Sequence, residues 1–313
     1  MQTCVIGGGG FIGCHLVKEL LRSGRDVLVL GLTPLRPELL APAAVYLACD
    51  YRDRTLLRQA IADCDEVIDL AYASVAQASF TTPLFDLQAN LPASVNLLEE
   101  ARDHGRLRRL IVVSSGGTVY GHVDRLPIIE EDATCPISPY GITKLTIEKY
   151  AMMFHRLNGV PVTIVRPANA YGLGQRPFTG QGFIATAMGR IVHGEEVVVF
   201  GEKGTIRDYV HVRDIATGIL CALDKGDSGQ IYNIGSGIGR SNRDVLDAME
   251  PLASRDGYSI RVRSEPARGV DVPANVLSFG KLMLCSGWQP KIPFEEGLAE
   301  MWESIVRLLG VSE

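Results

Sequence analysis

Short apolar runs, each closed by a turn and followed by a stretch of helical spacing, recur along the chain. The first run is Thr3-Cys4-Val5-Ile6, with Gly7-Gly8-Gly9-Gly10-Phe11-Ile12-Gly13 after it and apolar residues at Phe11, Ile12, Leu16, Val17, Leu20 and Leu21. An apolar run of four bounded by glycine predicts a buried strand, and the three-to-four spacing predicts a helix that stops at Ser23-Gly24. The same signals predict strands over 27–30, 45–47, 67–70 and 110–113, and a helix through Leu56, Leu57, Ala60 and Ile61. A longer helix is expected from about 86 to 104 (Leu87, Leu91, Val95, Leu98), and another over 139–157. Further strands near 163–165 and 209–212 are expected to return the chain to the same sheet. Repeated strand–helix units of this length predict an α/β fold with a doubly wound parallel sheet.

Composition narrows the class. The chain has 313 residues, 46% hydrophobic and 21% charged, enough for a sizeable core. A net charge of −5 without a basic stripe gives no reason to expect nucleic acid or a membrane surface as partner. No apolar run reaches the length of a membrane span, and Met1-Gln2-Thr3 leads straight into a strand, so a cytoplasmic protein is expected. Seven scattered Cys without a Cys-x-x-Cys pair argue against a disulfide framework and against a zinc site, and no metal is expected. There is no internal repeat.

The glycine turn after the first strand carries the first chemical signal. Glycines at 7, 10 and 13 let the chain turn tightly and let backbone approach a pyrophosphate, whose charge then rests on the helix N-terminus. Strand, glycine turn and helix together predict a Rossmann-type dinucleotide site. The acidic residue that would hold the adenosine ribose at the end of the second strand is missing, since Val29-Leu30 runs into Gly31-Leu32. NAD is the expected cofactor with NADP left open, and Arg36 is a candidate partner for a 2′-phosphate.

The second signal lies between Ser114 and Lys144. Tyr140 and Lys144 stand four apart at the start of a predicted helix, on one face and one turn apart. An ammonium beside a phenol favours the phenolate, which can then exchange a proton with a sugar hydroxyl or carbonyl. A Tyr-x-x-x-Lys arises by chance roughly 0.2 times in a chain of this composition, so the pair alone is weak. Its flank strengthens it: Leu110-Ile111-Val112-Val113 ends in Ser114-Ser115-Gly116-Gly117-Thr118-Val119-Tyr120-Gly121, and catalytic groups collect at that end of parallel strands.

Taken in order, these segments resemble the extended short-chain dehydrogenase/reductases, in the nucleotide-sugar epimerase and dehydratase branch. The resemblance rests on the glycine turn with Phe11-Ile12-Gly13, on Asp50, on Leu70-Ala71, on Val119-Tyr120-Gly121 and on Tyr140 with Lys144. It continues through Arg166-Pro167-Ala168-Asn169-Ala170-Tyr171-Gly172, through Arg207-Asp208-Tyr209-Val210, Arg268-x-x-Asp271 and Gly287-Trp288-x-Pro290. It implies cofactor contacts at Gly7, Gly10, Phe11, Ile12, Gly13, Asp50, Leu70, Ala71, Tyr140, Lys144 and Pro167. It also implies nucleotide-sugar contacts at Asn169, Arg207 and Arg268, with Asn275 four residues after Asp271 where the family gates the sugar's 2-substituent. The guanidinium forks of Arg207 and Arg268 suit a diphosphate on their own chemistry. Two domains are expected: 1–172 plus 207–235 for the dinucleotide, and 173–206 plus 236–313 as a smaller, discontinuous C-terminal lobe for the sugar. A homodimer through the helices at 86–104 and 139–157 is implied as well.

One position departs from the family pattern. Its catalytic Ser or Thr falls on Gly116, leaving Ser115 or Thr118 to supply the hydroxyl. Gly116-Gly117 also lacks the acid pair that a sugar 4,6-dehydratase needs. The expected reaction is nucleotide-sugar 4-epimerisation through a transient 4-keto sugar, on a UDP-hexose or UDP-N-acetylhexosamine. A nucleotide-sugar reductase or dehydrogenase on the same scaffold, and a dinucleotide-binding sensor without turnover, remain alternatives.

Overall fold

The computed structural model describes residues 1–32, 40–180, 182–269 and 271–310. Its first six strands are β1 (Gln2–Ile6), β2 (Asp26–Gly31), β3 (Val45–Ala48), β4 (Glu66–Asp69), β5 (Arg109–Val113) and β6 (Val162–Pro167). The later ones are β7 (Asn169–Tyr171), β8 (Val197–Phe200), β9 (Ile206–His211), β10 (Ile231–Ile234), β11 (Gly239–Arg240), β12 (Val262–Glu265) and β13 (Ala274–Asn275). The helices of the first half are α1 (Phe11–Arg22), α2 (Arg54–Ile61), α3 (Ala76–Ser79), α4 (Pro83–Asp103), α5 (Gly116–Val119) and α6 (Pro139–Asn158). Those of the second half are α7 (Phe183–Val192), α8 (Val212–Lys225), α9 (Asn242–Arg255), α10 (Gly280–Ser286) and α11 (Phe294–Leu309).

Seven strands form one parallel sheet of order β10-β6-β5-β4-β1-β2-β3. The chain winds outward from β1 to β3, crosses back to β4, and then winds the other way. The reversal between β1 and β4 opens a crevice at the carboxyl ends of those strands, where open α/β sheets bind ligands. Alternate residues of each strand feed opposite faces. Val5, Val29, Ile68, Ile111 and Val165 pack beneath Leu16 and Leu20 of α1 and Ile215 and Ile219 of α8. Cys4, Ile6, Leu30, Val67, Leu110 and Ile164 pack beneath Leu57 of α2, Leu97 of α4 and Ile147 and Phe154 of α6. Burial on both faces is why these strands read as unbroken apolar runs.

Local signals set the helix that carries the Tyr–Lys pair. Ser138 caps α6 by accepting from Gly141 N, Pro139 takes the first helical position, and Gly159 ends the helix at φ 71°. Tyr140 is thereby fixed in the first turn. The helix expected from 86 begins three residues earlier, at Pro83, for the same proline reason.

The strand expected near 209–212 does not return to the large sheet. β9 instead centres a second sheet with β11, β13 and β7, and the large sheet's last strand is β10. Periodicity identifies a strand but not its partners, and here β9 runs directly into α8, which does pack on the large sheet. Around this second sheet and the β8–β12 pair lies a separate core of Met188, Val245, Met249, Leu298, Met301 and Trp302. None of the seven cysteines is in a disulfide; Cys4, Cys14, Cys49 and Cys64 are buried and Cys135 is exposed. No helix among the described residues is long and apolar enough to cross a membrane.

Candidate active site

The glycine turn lies at the reversal point. Gly7 has φ 79°, and a Cβ there would stand 2.9 Å from the backbone nitrogen of Ala71, just beyond β4. A Cβ on Gly13 would lie 2.5 Å from Gly7 O. Both positions therefore require glycine, and the turn, α1 and the Leu70-Ala71 segment close on one another without side chains between them. Gly10 caps α1 with extended backbone and no capping side chain, so the helix start presents N–H groups and the positive end of its dipole. Such a cradle fits the pyrophosphate of a dinucleotide.

At the end of β2, a Cβ on Gly31 would meet the Tyr46 hydroxyl at 2.8 Å. Tyr46 of the neighbouring strand thus occupies the space of the missing acidic side chain. Arg36 lies outside the described residues. Asp50, expected as a cofactor contact, is paired with Arg52, whose fork takes both its oxygens at 2.8 and 2.6 Å and holds it below the usual carboxylate range.

Lys144 is buried and Tyr140 half-buried at the carboxyl end of β5. The Lys144 ammonium donates to Val113 O at 2.9 Å and lies 6.0 Å from the centroid of the Tyr140 ring. Burial lowers Lys144 to about 8, opposed by Asp69, Glu148 and Asp86. Burial also raises Asp69 to about 6 against the pull of Lys144 and the Ala71 N–H. The expectation that Lys144 lowers the Tyr140 phenol is not met by the protein's own groups. Burial pushes Tyr140 up to about 12, and the group that draws it back is the Ser115 hydroxyl beside it. The ammonium is turned toward Val113 O instead.

The structure brings Ser115 to the phenol and leaves Thr118 one turn on, where its hydroxyl donates to Ser115 O at 3.4 Å. Gly116 cannot carry the family's hydroxyl. A Cβ there would stand 2.3 Å from Leu277 Cδ1 and 2.9 Å from Arg166 O.

From the second sheet, Asn169 of β7 and Asn275 of β13 approach the same turn. A Cβ on Gly117 would lie 3.2 Å from Asn169 Oδ1, and Asn275 Nδ2 donates to Gly116 O at 3.0 Å. Both amide oxygens are buried without a hydrogen-bond partner among the described residues. Pro167 ends β6 beside them. Arg207 is not paired with Asp208: its guanidinium donates to Ile206 O and Val272 O, both at 2.8 Å, and burial lowers its pKa. Asp208 is taken by Ser236 and Leu277 N. Arg268 is bonded to Asp271 at 2.9 Å and lies over the Phe200 ring, 3.9 Å from its centroid.

Sequence reasoning missed Tyr72 and Asp86. Tyr72 packs edge-on against Tyr140, with centroids 4.7 Å apart, and its ring centroid is 4.2 Å from the Lys144 ammonium. Asp86, fully buried, bonds the Tyr72 hydroxyl at 3.1 Å and also the Ser74 hydroxyl. A tyrosine directly after Leu70-Ala71, at the carboxyl end of a buried strand, was the available signal.

Known proteins share this arrangement of glycine cradle and Tyr–Lys pair. The NAD dependent epimerase/dehydratase family matches residues 3–235. The chain belongs to that family. It is an NAD-dependent enzyme of the epimerase kind, and its fold is the family's Rossmann-type sheet. The crystal structure of the Thermotoga maritima UDP-glucose 4-epimerase with UDP-glucose superposes with a TM-score of 0.92 at 33% identity, covering 99% of this chain and 100% of that one. The UDP-glucose 4-epimerase of Mycolicibacterium smegmatis is 32% identical over 97% of this chain and 98% of its own. Dehydratases are also similar: the dTDP-glucose 4,6-dehydratase of Streptomyces antibioticus is 28% identical over 96% of this chain and 90% of its own.

Proposed function

We propose that this family member is a nucleotide-sugar 4-epimerase acting on a UDP-hexose or UDP-N-acetylhexosamine. The observation that carries the reading is the Tyr140 phenol, with the Ser115 hydroxyl and the Lys144 side chain beside it, at the carboxyl end of the sheet next to a glycine turn shaped for a dinucleotide. Bound NAD would supply a reversible hydride acceptor for C4 of the sugar. Tyr140 takes the C4 hydroxyl proton and returns it, and Ser115 orients that oxygen. Lys144 keeps hydrogen-bond donors for the cofactor ribose, and its charge favours the phenolate once it turns toward the ring. Arg207, with no carboxylate bonded to it among the described residues, holds the diphosphate from β9 of the second sheet, and Asn169 of β7 adds an amide, with the smaller lobe (173–206 plus 236–313) closing over the sugar. Remote tethering lets the 4-keto sugar rotate and present its other face.

Arg268, with Asp271 already on it, is proposed to complete the diphosphate contacts only by exchanging that partner. The absence of an acid pair at Gly116-Gly117 favours epimerisation over 4,6-dehydration. Asn275, smaller than a tyrosine, favours tolerance of a 2-acetamido group. We also propose a homodimer through α4 and α6, which leave Phe85, Ile142 and Leu157 exposed.

The test is NMR of the purified protein with UDP-glucose, UDP-galactose and their N-acetyl analogues. The expected result is one equilibrium mixture reached from either C4 epimer, with no net change in reduced cofactor. Stoichiometric NADH formation would install the dehydrogenase reading, a 4-keto-6-deoxy product the dehydratase one, and NAD binding without turnover the sensor.

A further inference from the structure

We propose that Tyr72 is a positioning residue whose ring face seats the Lys144 ammonium beside Tyr140. The inference rests on the Tyr140–Lys144 reading of the site, but its test needs no turnover.

The ammonium has three donors, and among the described residues one is used, on Val113 O at 2.9 Å. No carboxylate within the described residues forms an ion pair with it; Asp69 of β4, Asp86 of α4 and Glu148 of its own helix act on it only through the field. The nearest aromatic face belongs to Tyr72, whose centroid is 4.2 Å from Nζ, against 6.0 Å for Tyr140. At that range a ring attracts a cation through its quadrupole, more strongly where water is excluded.

The ring is held as a seat must be. Its hydroxyl bonds Asp86 Oδ2 at 3.1 Å and reaches the Thr143 hydroxyl on the first turns of α6. The backbone on either side is fixed too. Ala71 N donates to Asp69 Oδ1 at 3.2 Å, and Ala73 N donates to Asn90 Oδ1 at 2.7 Å. Asn90 in turn donates to Asp86 O at 2.7 Å, so α4 grips both the hydroxyl and the chain. Tyr72 then packs edge-on to Tyr140 with an interplanar angle of 64°. A neutral face attracts the ammonium without consuming a donor. A carboxylate in the same place would take one donor as an ion pair. Two donors are therefore left for ligand hydroxyls, while the charge stays within one ring's width of the phenol.

The experiment is an NMR titration of the Lys144 side chain in the protein as purified, with 13C-labelled lysine and the signal assigned by its loss in Lys144→Met. The ring face is varied at nearly constant volume by installing phenylalanine with no, one, two or three ring fluorines at position 72. Removing the face destabilises the charged form, so the Lys144 midpoint is expected to fall stepwise, by roughly half to one and a half pH units across the series. Tyr72→Phe itself keeps the face and is expected to titrate within about 0.3 units of the parent. Tyr72→Leu gives the full fall, and if it does not fold the fluorine series decides alone. A midpoint that stays put across the series overturns the inference, as does one that falls fully in Tyr72→Phe. Neither outcome depends on whether the enzyme proves to be an epimerase.

Discussion

Glu148 and Arg166 form a buried ion pair directly beneath the active-site turn, with Arg166 Nη2 2.6 Å and Nε 3.0 Å from the carboxylate and both side chains 2% exposed. Glu148 stands one helical turn after Lys144 and also accepts from the Ser114 hydroxyl. Arg166 goes on to the Tyr120 hydroxyl at 2.8 Å, which donates to Asn233 at 2.8 Å. The ends of β5, β6 and β10 are thus tied to α6 close to Tyr140 and Lys144. Breaking a buried pair strands the remaining charge, so Glu148→Ala is expected to cost about 3–5 kcal/mol of stability in urea unfolding. An apolar pair, Glu148→Leu with Arg166→Met, is expected to recover much of that loss. A single variant within 1 kcal/mol of the parent, on the ~1 kcal/mol scale of surface pairs, would show that the network is not cooperative.

Restoring the family's hydroxyl at 116 is expected to harm the enzyme. The Cβ of Gly116→Ser has Leu277 Cδ1 at 2.3 Å and the Arg166 carbonyl at 2.9 Å, and only the first can yield. Overpacking of this kind costs ~1–3 kcal/mol. Thermal unfolding of Gly116→Ser alone and with Leu277→Ala measures it, the second change giving back only part. A Gly116→Ser protein as stable and as active as the parent would return the catalytic hydroxyl to position 116.

Ser115 and Thr118 separate cleanly. Ser115→Ala removes the partner of the Tyr140 phenol and is expected to lower kcat by about 10²-fold or more, with KM little changed. Among the described residues the Thr118 hydroxyl bonds the Ser115 carbonyl, and Thr118→Val is expected to stay within about tenfold of the parent. Steady-state kinetics on the preferred sugar nucleotide decide it, with Tyr140→Phe as the inactive reference. The reverse ranking would move the orienting role to Thr118.

The pH dependence has a defined sign. The reactive form pairs a phenolate with an ammonium, one proton fewer than the fully protonated pair. With Lys144 at about 8 and Tyr140 at about 12, that proton count dominates between the two values. Single-turnover rates are therefore expected to rise tenfold per pH unit below about 8 and to level off above it. A decline just above the Lys144 midpoint would mean that the lysine must stay charged while the phenol stays neutral, contrary to the base role of Tyr140.

The outward faces of α4 and α6 make the oligomer testable. Leu84 and Phe85 on α4 and Ile142, Met153 and Leu157 on α6 are exposed apolar side chains on helices that pack together. Light scattering is expected to give a dimer for the parent and a monomer for Phe85→Glu with Leu157→Glu, at unchanged circular dichroism. A monomeric parent at micromolar concentration would show that these faces have another use.

The sequence by itself determined the large sheet, the glycine cradle and the place of Tyr140 and Lys144. Each of these is written locally: apolar runs make strands buried on both faces, Gly7 and Gly13 have no room for a Cβ, and the Ser138-Pro139 cap sets the helix phase. Ser115 was legible only as one of two candidates, because spacing cannot say that Leu277, far along the chain, fills the space beside Gly116. Tertiary structure alone decided that β9 leaves the large sheet, that Asp50 pairs with Arg52, and that Tyr46 stands where an acid at position 31 would be. It also decided the direction of the Tyr140 shift. Proximity along a helix gave the expectation of a lowered phenol, but burial and the turn of Lys144 toward Val113 O and the Tyr72 ring are properties of packed neighbours, which no local pattern encodes.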